Sequence, residues 1–185
     1  MEHWIAVEHL DIERLLAEWR WLCPGRMTLI ARNAFADLFL GNEAGHVLRL
    51  EVGVARLRKV ADSEAQFRDL AQTGKNREEW FAEADEKAAA GRGLTPNADQ
   101  CIGFNVPLVL AESGTPNPPY IADLYEHVSL LGDVNRKIAH LPDGTKVRLQ
   151  LKRAPPRRIY VGPAPCDRSK GAIAASRSPS RLPSG

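Results

Sequence analysis

Three histidines, His46, His127 and His140, and two aspartates that each open an apolar run, Asp37 and Asp123, are the residues whose types could support chemistry. A metal or general-base site needs two or three converging groups; in H-E-x-x-H, for instance, the i, i+4 spacing puts both rings on one helix face. Glu126-His127 has no second histidine at that spacing. Asp37, Asp123 and His127 could serve a small hydrolase or a ligand-binding enzyme, with the carboxylates as acid and base, provided that the three meet in a pocket. Nothing in the sequence shows such a meeting, and an Asp at a strand or helix edge commonly acts as a cap or turn acceptor. Cys23, Cys101 and Cys166 are too widely spaced for a zinc set or a disulfide framework. Cys101 lies in an apolar run, where cysteine behaves as a small hydrophobe. Gly91-Arg92-Gly93 lacks the strand-to-helix context and the lysine of a phosphate loop, and reads as a helix stop. No catalytic set, metal or cofactor is expected.

The elements that would position these residues follow from periodicity. Asp11 is an N-cap candidate for a helix over 12–22, in which Ile12, Leu15, Leu16, Trp19 and Leu22 form one apolar stripe. Trp21 falls opposite that stripe, so it either packs on a second surface or lies where the helix has unwound. Pro24-Gly25 ends the helix. Apolar, β-prone runs at 27–31, 36–40 and 47–52 and a weaker alternation at 54–60 predict an antiparallel meander of three or four strands. The loop at 41–45 holds two glycines that can take positive φ.

Two helices are expected next. Ser63 and Gln66 match a capping box before Phe67, Leu70 and Ala71. Asn76 reads as the cap of a second helix running to Ala90, with Trp80, Phe81, Ala84 and Ala88 on its inner side. Glu79, Glu83 and Glu86 recur at i, i+4 and i+7 on the opposite side, an acidic ridge. Such a ridge is either an ordinary solvated face or a docking surface for a basic partner. Residues 102–110 form the most apolar strand, in which Pro107 marks an edge, bulge or end. A turn-rich loop at 113–119, a helix carrying Val128, Leu131, Val134 and Ile138, and a strand at 146–151 complete the body. The order of elements argues α+β: an antiparallel sheet of about five strands with three to four helices.

Charge divides the 185-residue chain. Residues 1–151 hold 17 Lys or Arg and 22 Asp or Glu, a formal −5, whereas residues 152–185 hold eight basic residues and a single acid, Asp167. The tail is rich in Pro, Ser, Arg and Gly without apolar period, so it is expected to be disordered, with the domain boundary at Leu151. Its charge could attract nucleic acid weakly and non-specifically, and a nucleic-acid-binding adaptor acting through the tail is a further alternative. MEHWIAVEHL lacks the basic start and apolar run of a signal peptide. No stretch reaches 18 consecutive apolar residues, so no membrane span is expected and the chain reads as cytoplasmic.

Four segments resemble a known family. Trp19-Arg20-Trp21-Leu22, AFADLFL at 34–40, DQCIGFNVPLVL at 99–110 and DLYEHVSLLGDV at 123–134 are similar to the C-terminal domain of immunity proteins of type VI secretion DNase toxins in bacteria. The likeness spans roughly His9–Leu149. Where the family's strand opens Gly-Asp, this chain has Ala36-Asp37, and it has no room for the preceding domain of the better-known members. The family supplies no catalytic residues. The resemblance implies a binding protein that occludes a toxin; for a basic nuclease partner, the acidic ridge read from the helix pattern, Glu79, Glu83 and Glu86, is the expected contact face.

Overall fold

The computed structural model describes residue 5, residues 7–110 and residues 115–142. Its architecture is α+β, as the sequence predicts, but the strands form two antiparallel sheets rather than one. The larger has the order β1 (Met27–Arg32), β2 (Leu38–Asn42), β3 (Val47–Glu51), β4 (Arg56–Ala61). The smaller pairs β5 (Gln100–Phe104) with β6 (Pro119–Asp123). Among the described residues five α-helices accompany them: α1 (Ile12–Leu16), α2 (Glu64–Ala71), α3 (Gly74–Phe81), α4 (Glu83–Ala90) and α5 (Leu124–Ile138).

Strand β2 explains how the large sheet is covered. Leu38, Phe39 and Leu40 are all fully buried, and because successive side chains point to opposite faces, both faces must be packed. Leu38 and Leu40 join Leu15, Leu16, Trp19, Val128 and Leu131 of the α1 and α5 layer. Phe39 joins Phe67, Trp80 and Phe81 of the α2 and α3 layer. In that second layer the Phe39 centroid lies 5.0 Å from Phe67 and 5.1 Å from Phe81, distances at which aromatic pairs add to simple burial.

Capping agrees with the sequence in two places and departs from it in a third. Asp11 accepts from the amides of Glu13 and Arg14, and Ser63 Oγ accepts from Gln66 N at 3.2 Å. Gln66 Oε1 in turn accepts from Asp62 N rather than from Ser63 N. The cap of α3 is Thr73, not Asn76: Thr73 Oγ1 accepts from Asn76 N, while the Asn76 amide donates to Leu70 O and holds α2 to α3.

Three elements differ from expectation. The first helix is α-helical only to Leu16, then tightens into a 3-10 turn over Ala17–Trp19. Trp21 therefore lies beyond the regular helix, exposed and stacked on Trp19 at 6.3 Å. Strand β5 ends at Phe104, ahead of Pro107, and Leu108–Leu110 is a 3-10 turn; Val106, Leu108 and Val109 are exposed instead of continuing the strand. Strand β6 is unexpected: the sequence predicts a loop over 113–119 and no strand before the last helix, because Pro119 opens β6 and only Tyr120 and Ile121 in it favour a strand. The expected strand at 146–151, the boundary at Leu151 and the disordered tail lie outside the described residues.

The helix expected from Asn76 to Ala90 is broken. Ala82 takes φ 49° and ψ 51°, the left-handed conformation, and separates α3 from α4. The carbonyls that would continue the helix are taken by tertiary donors: Glu79 O accepts from Arg49 Nη1 at 2.7 Å and Trp80 O from Asn33 Nδ2 at 3.0 Å. The Ala84 amide is satisfied by Glu78 Oε2. For an alanine the left-handed region costs roughly 1–2 kcal/mol, against which stand two hydrogen bonds to otherwise buried donors.

Candidate functional site

The break at Ala82 belongs to a buried polar corner that starts at Asp37. The β1–β2 connection reverses through Ala36, which is fully buried with φ 70°, and is closed by Asn33, whose Oδ1 accepts from the Phe35 and Asp37 amides. This turn pushes the Asp37 carboxylate inward, where it is 9% exposed. Four hydrogen bonds reach it. Oδ2 accepts from Arg49 Nε at 3.2 Å, Arg49 Nη2 at 2.7 Å and Asn33 Nδ2 at 3.3 Å, and Oδ1 accepts from Val52 N at 3.1 Å. Desolvation raises the Asp37 pKa, and the Arg49 guanidinium and the Val52 amide oppose that rise. The turn acceptor is therefore Asn33, whereas the Asp37 carboxylate has a structural role of another kind, holding β3 through Arg49 and the Val52 amide, with Arg49 as the counter-charge that lets a carboxylate stay inside.

Next to this corner is a cavity of about 270 Å³. Asp37, Arg49 and Glu51 stand on one side and His127 and Leu131 of α5 on another; Phe104 and Leu108 come from β5 and the turn after it, and Asp85 from α4. His127 is 8% exposed. Its ring fits against the backbone of β5 because position 103 is glycine: a Cβ there would lie 2.9 Å from His127 Cε1. Among the described residues the His127 ring has no hydrogen-bond partner, and desolvation lowers its pKa. The imidazole is therefore neutral at pH 7, with its hydrogen-bonding capacity unspent.

The structure brings Asp37 and His127 to one cavity and leaves Asp123 outside it. Asp123 is the N-cap of α5, accepting from Glu126 N at 2.9 Å, and stands opposite Gln100 in the β5–β6 register. The three residues of the hydrolase alternative therefore do not converge. His46 sits in the β2–β3 turn, its amide donating to Asn42 Oδ1, and His140 is exposed beyond the end of α5. Burial pushes the Cys23 thiol up to about 11 and the Cys101 thiol up to about 12, so neither is a thiolate at neutral pH. Among the described residues no group of three or more His, Cys, Asp or Glu could hold a metal ion.

The acidic ridge is not one helix face. Glu79 lies in the last turn of α3, whereas Glu83 and Glu86 lie on α4 across the left-handed Ala82. Glu79 is exposed, with Arg58 Nη2 at 3.5 Å. Glu83 is largely covered and held between Arg77 at 3.3 Å and Lys87 at 2.6 Å. Ala84 and Ala88, expected on the inner side, are exposed, and Ala89 is buried in their place.

Sequence reasoning passed over Asn33, Arg49, Glu51 and Asp85. One signal was present for Arg49. An aspartate leading directly into a strand buried on both faces calls for a buried cation, and Arg49 sits in the neighbouring strand, paired in register with Phe39. A second buried cation, Arg32, has no such signal. It is fully enclosed, with Nη2 donating to the carbonyls of Asn97, Ala98 and Gln100, and it ties the loop before β5 to β1.

Fold and cavity together define an α+β domain with a ligand-sized recess beside a self-contained ion pair. No protein-family model, no curated protein and no solved structure matches this chain. Among the described residues no helix is long and apolar enough to cross a membrane.

Proposed function

We propose that the chain is a non-enzymatic, immunity-type binding protein that neutralises a cognate toxin, a basic nuclease, by occluding it. What carries the reading is that the four segments resembling the immunity-protein domain interlock in one core. Trp19 Nε1 donates to Val128 O at 2.9 Å, joining the first segment to the last. Leu124 N donates to Asp99 O at 2.9 Å, and Ile102 N to Ala34 O at 2.7 Å, joining the other two. Gly132 allows the close crossing of α5 over the first segment, since a Cβ there would lie 2.9 Å from Trp19 Nε1. The position at which the family has glycine, Ala36, has the positive φ that glycine accepts without strain.

Charge supports the nuclease as partner. A nuclease needs a positive groove for its phosphate backbone, and a body with an excess of five acids is a suitable plug. Glu79, Glu83 and Glu86 are the proposed contacts, spread over α3 and α4 and with Glu79 the most open. Charge of this kind chiefly raises the association rate and fixes register.

The test is co-expression of this protein with the product of the adjacent gene. Rescue of growth and a complex on gel filtration are expected; unchanged toxicity with no complex removes that toxin as the partner. Within a complex so established, changing the three glutamates to glutamine keeps their shape and avoids placing lysines beside Arg58, Arg77 and Lys87. It should slow association about ten-fold at low salt. Equal on-rates would take α3 and α4 out of the interface.

A further inference from the structure

We infer that the cavity between the β3–β4 turn and α5 is a binding site for a small organic cation, a primary amine carried on an aromatic or branched aliphatic body. The inference does not depend on the immunity reading. Its first support is shape: about 270 Å³ walled by side chains such as Val52, Ile102, Phe104 and Leu131 is room for one ring or branched chain, with water displaced from an apolar lining. Its second is His127, nine-tenths buried, lining the cavity and without a partner among the described residues. An imidazole nitrogen that reaches the cavity without a protein partner is open to a ligand that donates to it.

The sign of the ligand's charge follows from the groups around the recess. Arg49 lines it, but three of its five N–H donors are spent, on Asp37 and on Glu79 O, and its charge is matched by the Asp37 carboxylate. Glu51 is paired with Arg58 at 2.7 Å. Asp85 is exposed at the rim, with no partner among the described residues. That leaves one uncompensated negative charge, a neutral imidazole able to accept, and the stacked rings of Phe35 and Phe104, 6.2 Å apart and inclined by 7°. The electron-rich faces of such rings attract ammonium groups within roughly 6 Å. All three features favour a cation, and the first and third disfavour an anion. The amine head is expected towards Asp85 and His127, with the body against Leu131 and Val52.

Benzylamine, benzyl alcohol and benzoate share one ring and differ in the charge of the head group, so they test the inference directly. In titrations of the full chain followed by backbone amide NMR, benzylamine should shift the Gly103 and His127 signals with a Kd of about 1 mM, as befits a ligand of this size. Benzyl alcohol should bind at least about five-fold more weakly and benzoate not measurably, since the charge interaction at a partly exposed site is worth about that factor. Asp85→Asn, on the surface and harmless to folding, should weaken benzylamine about five-fold and leave benzyl alcohol unchanged. His127→Phe, which keeps the ring and removes the acceptor, should weaken both. Benzoate binding as tightly as benzylamine, no shift with any of the three up to about 10 mM, or an Asp85→Asn variant that binds benzylamine like the parent would each overturn the inference.

Discussion

Two buried polar groups lie on the same cavity and have opposite standing. Asp37 accepts four hydrogen bonds, three at Oδ2 from Arg49 and Asn33 and one at Oδ1 from the Val52 amide. His127, buried to the same degree, has no partner among the described residues. The difference teaches what burial means in each place. Around Asp37 the chain has built a joint, because the same donors also grip the carbonyls of Glu79 and Trp80 and so fasten α3 to the sheet. Around His127 it has built a wall, with glycine opposite the ring and open space before it. A joint spends its hydrogen bonds on holding the fold together; a wall keeps its capacity for what enters the cavity.

Breaking the joint should have the largest consequence. Asp37→Ala leaves the Arg49 guanidinium buried and unpaired, and should cost about 3–5 kcal/mol in urea unfolding. The double variant Asp37→Leu with Arg49→Leu should recover much of that loss, because removing both charges together spares the uncompensated one. If the single variant lost less than about 1 kcal/mol, the description of Asp37 as a structural joint would be wrong. Arg49→Leu alone should be similarly damaging and should also loosen α3, seen as faster amide exchange over residues 74–81.

The crossing of α5 over Trp19 is a tight apolar counterpart to the joint. Gly132→Ala would set a Cβ 2.8 Å from Glu18 Cβ and 3.0 Å from Glu18 O, backbone that cannot swing away. A loss of about 1–3 kcal/mol is expected, together with a change in tryptophan fluorescence as the Trp19 indole moves. Unchanged stability and emission would show that the helix shifts freely.

A smaller effect of opposite sign belongs to Ala36. Its φ of 70° is one that an alanine adopts with strain and a glycine does not. Ala36→Gly should therefore stabilise by up to about 1 kcal/mol, the relief of left-handed strain less the extra chain entropy of glycine. A destabilised variant would mean that burial of the Ala36 methyl outweighs the strain.

The smallest signature is a slope. Folding depresses the His127 pKa below the usual 6.5. Below pH 6.5 the unfolded chain then takes up a proton at this ring that the folded chain refuses, so stability is complete above 6.5 and is lost as pH falls below it. Asp37, with its pKa raised, contributes a slope of the opposite sign, so the parent alone shows only the balance. The informative quantity is the difference: His127→Phe should be less sensitive to acidification between pH 7 and 5 than the parent, measured by urea unfolding. Parallel curves would mean that the ring is protonated without penalty, and that the wall is wetter than its burial indicates.

Much of the fold was legible because it is written in local terms. Apolar spacing marked the meander, α2 and α5, and Asp11 and Ser63 announced their helices by side chains that reach two or three residues along the chain. The loop before α5 concealed β6, whose strand character comes from pairing with β5 rather than from its own composition. The candidate site was legible in only two of its residues, Asp37 and His127, and their meeting was not.

By itself the sequence determined the α+β class, an acidic body carrying a basic tail, and which faces of α1, α2 and α5 turn inward, since these depend on side-chain type and on the periods of helix and strand. Only the tertiary structure decided that the run from Asn76 to Ala90 is two helices. No glycine or proline interrupts that run, and Ala82 itself favours helix. The break exists because Arg49 and Asn33, 30 and 47 residues away from the carbonyls they capture, stand where the next turn's amides would have been. The same long-range donors dispersed the acidic ridge and enclosed Asp37, because hydrogen-bond partners are chosen by proximity in the folded chain and not by spacing along it.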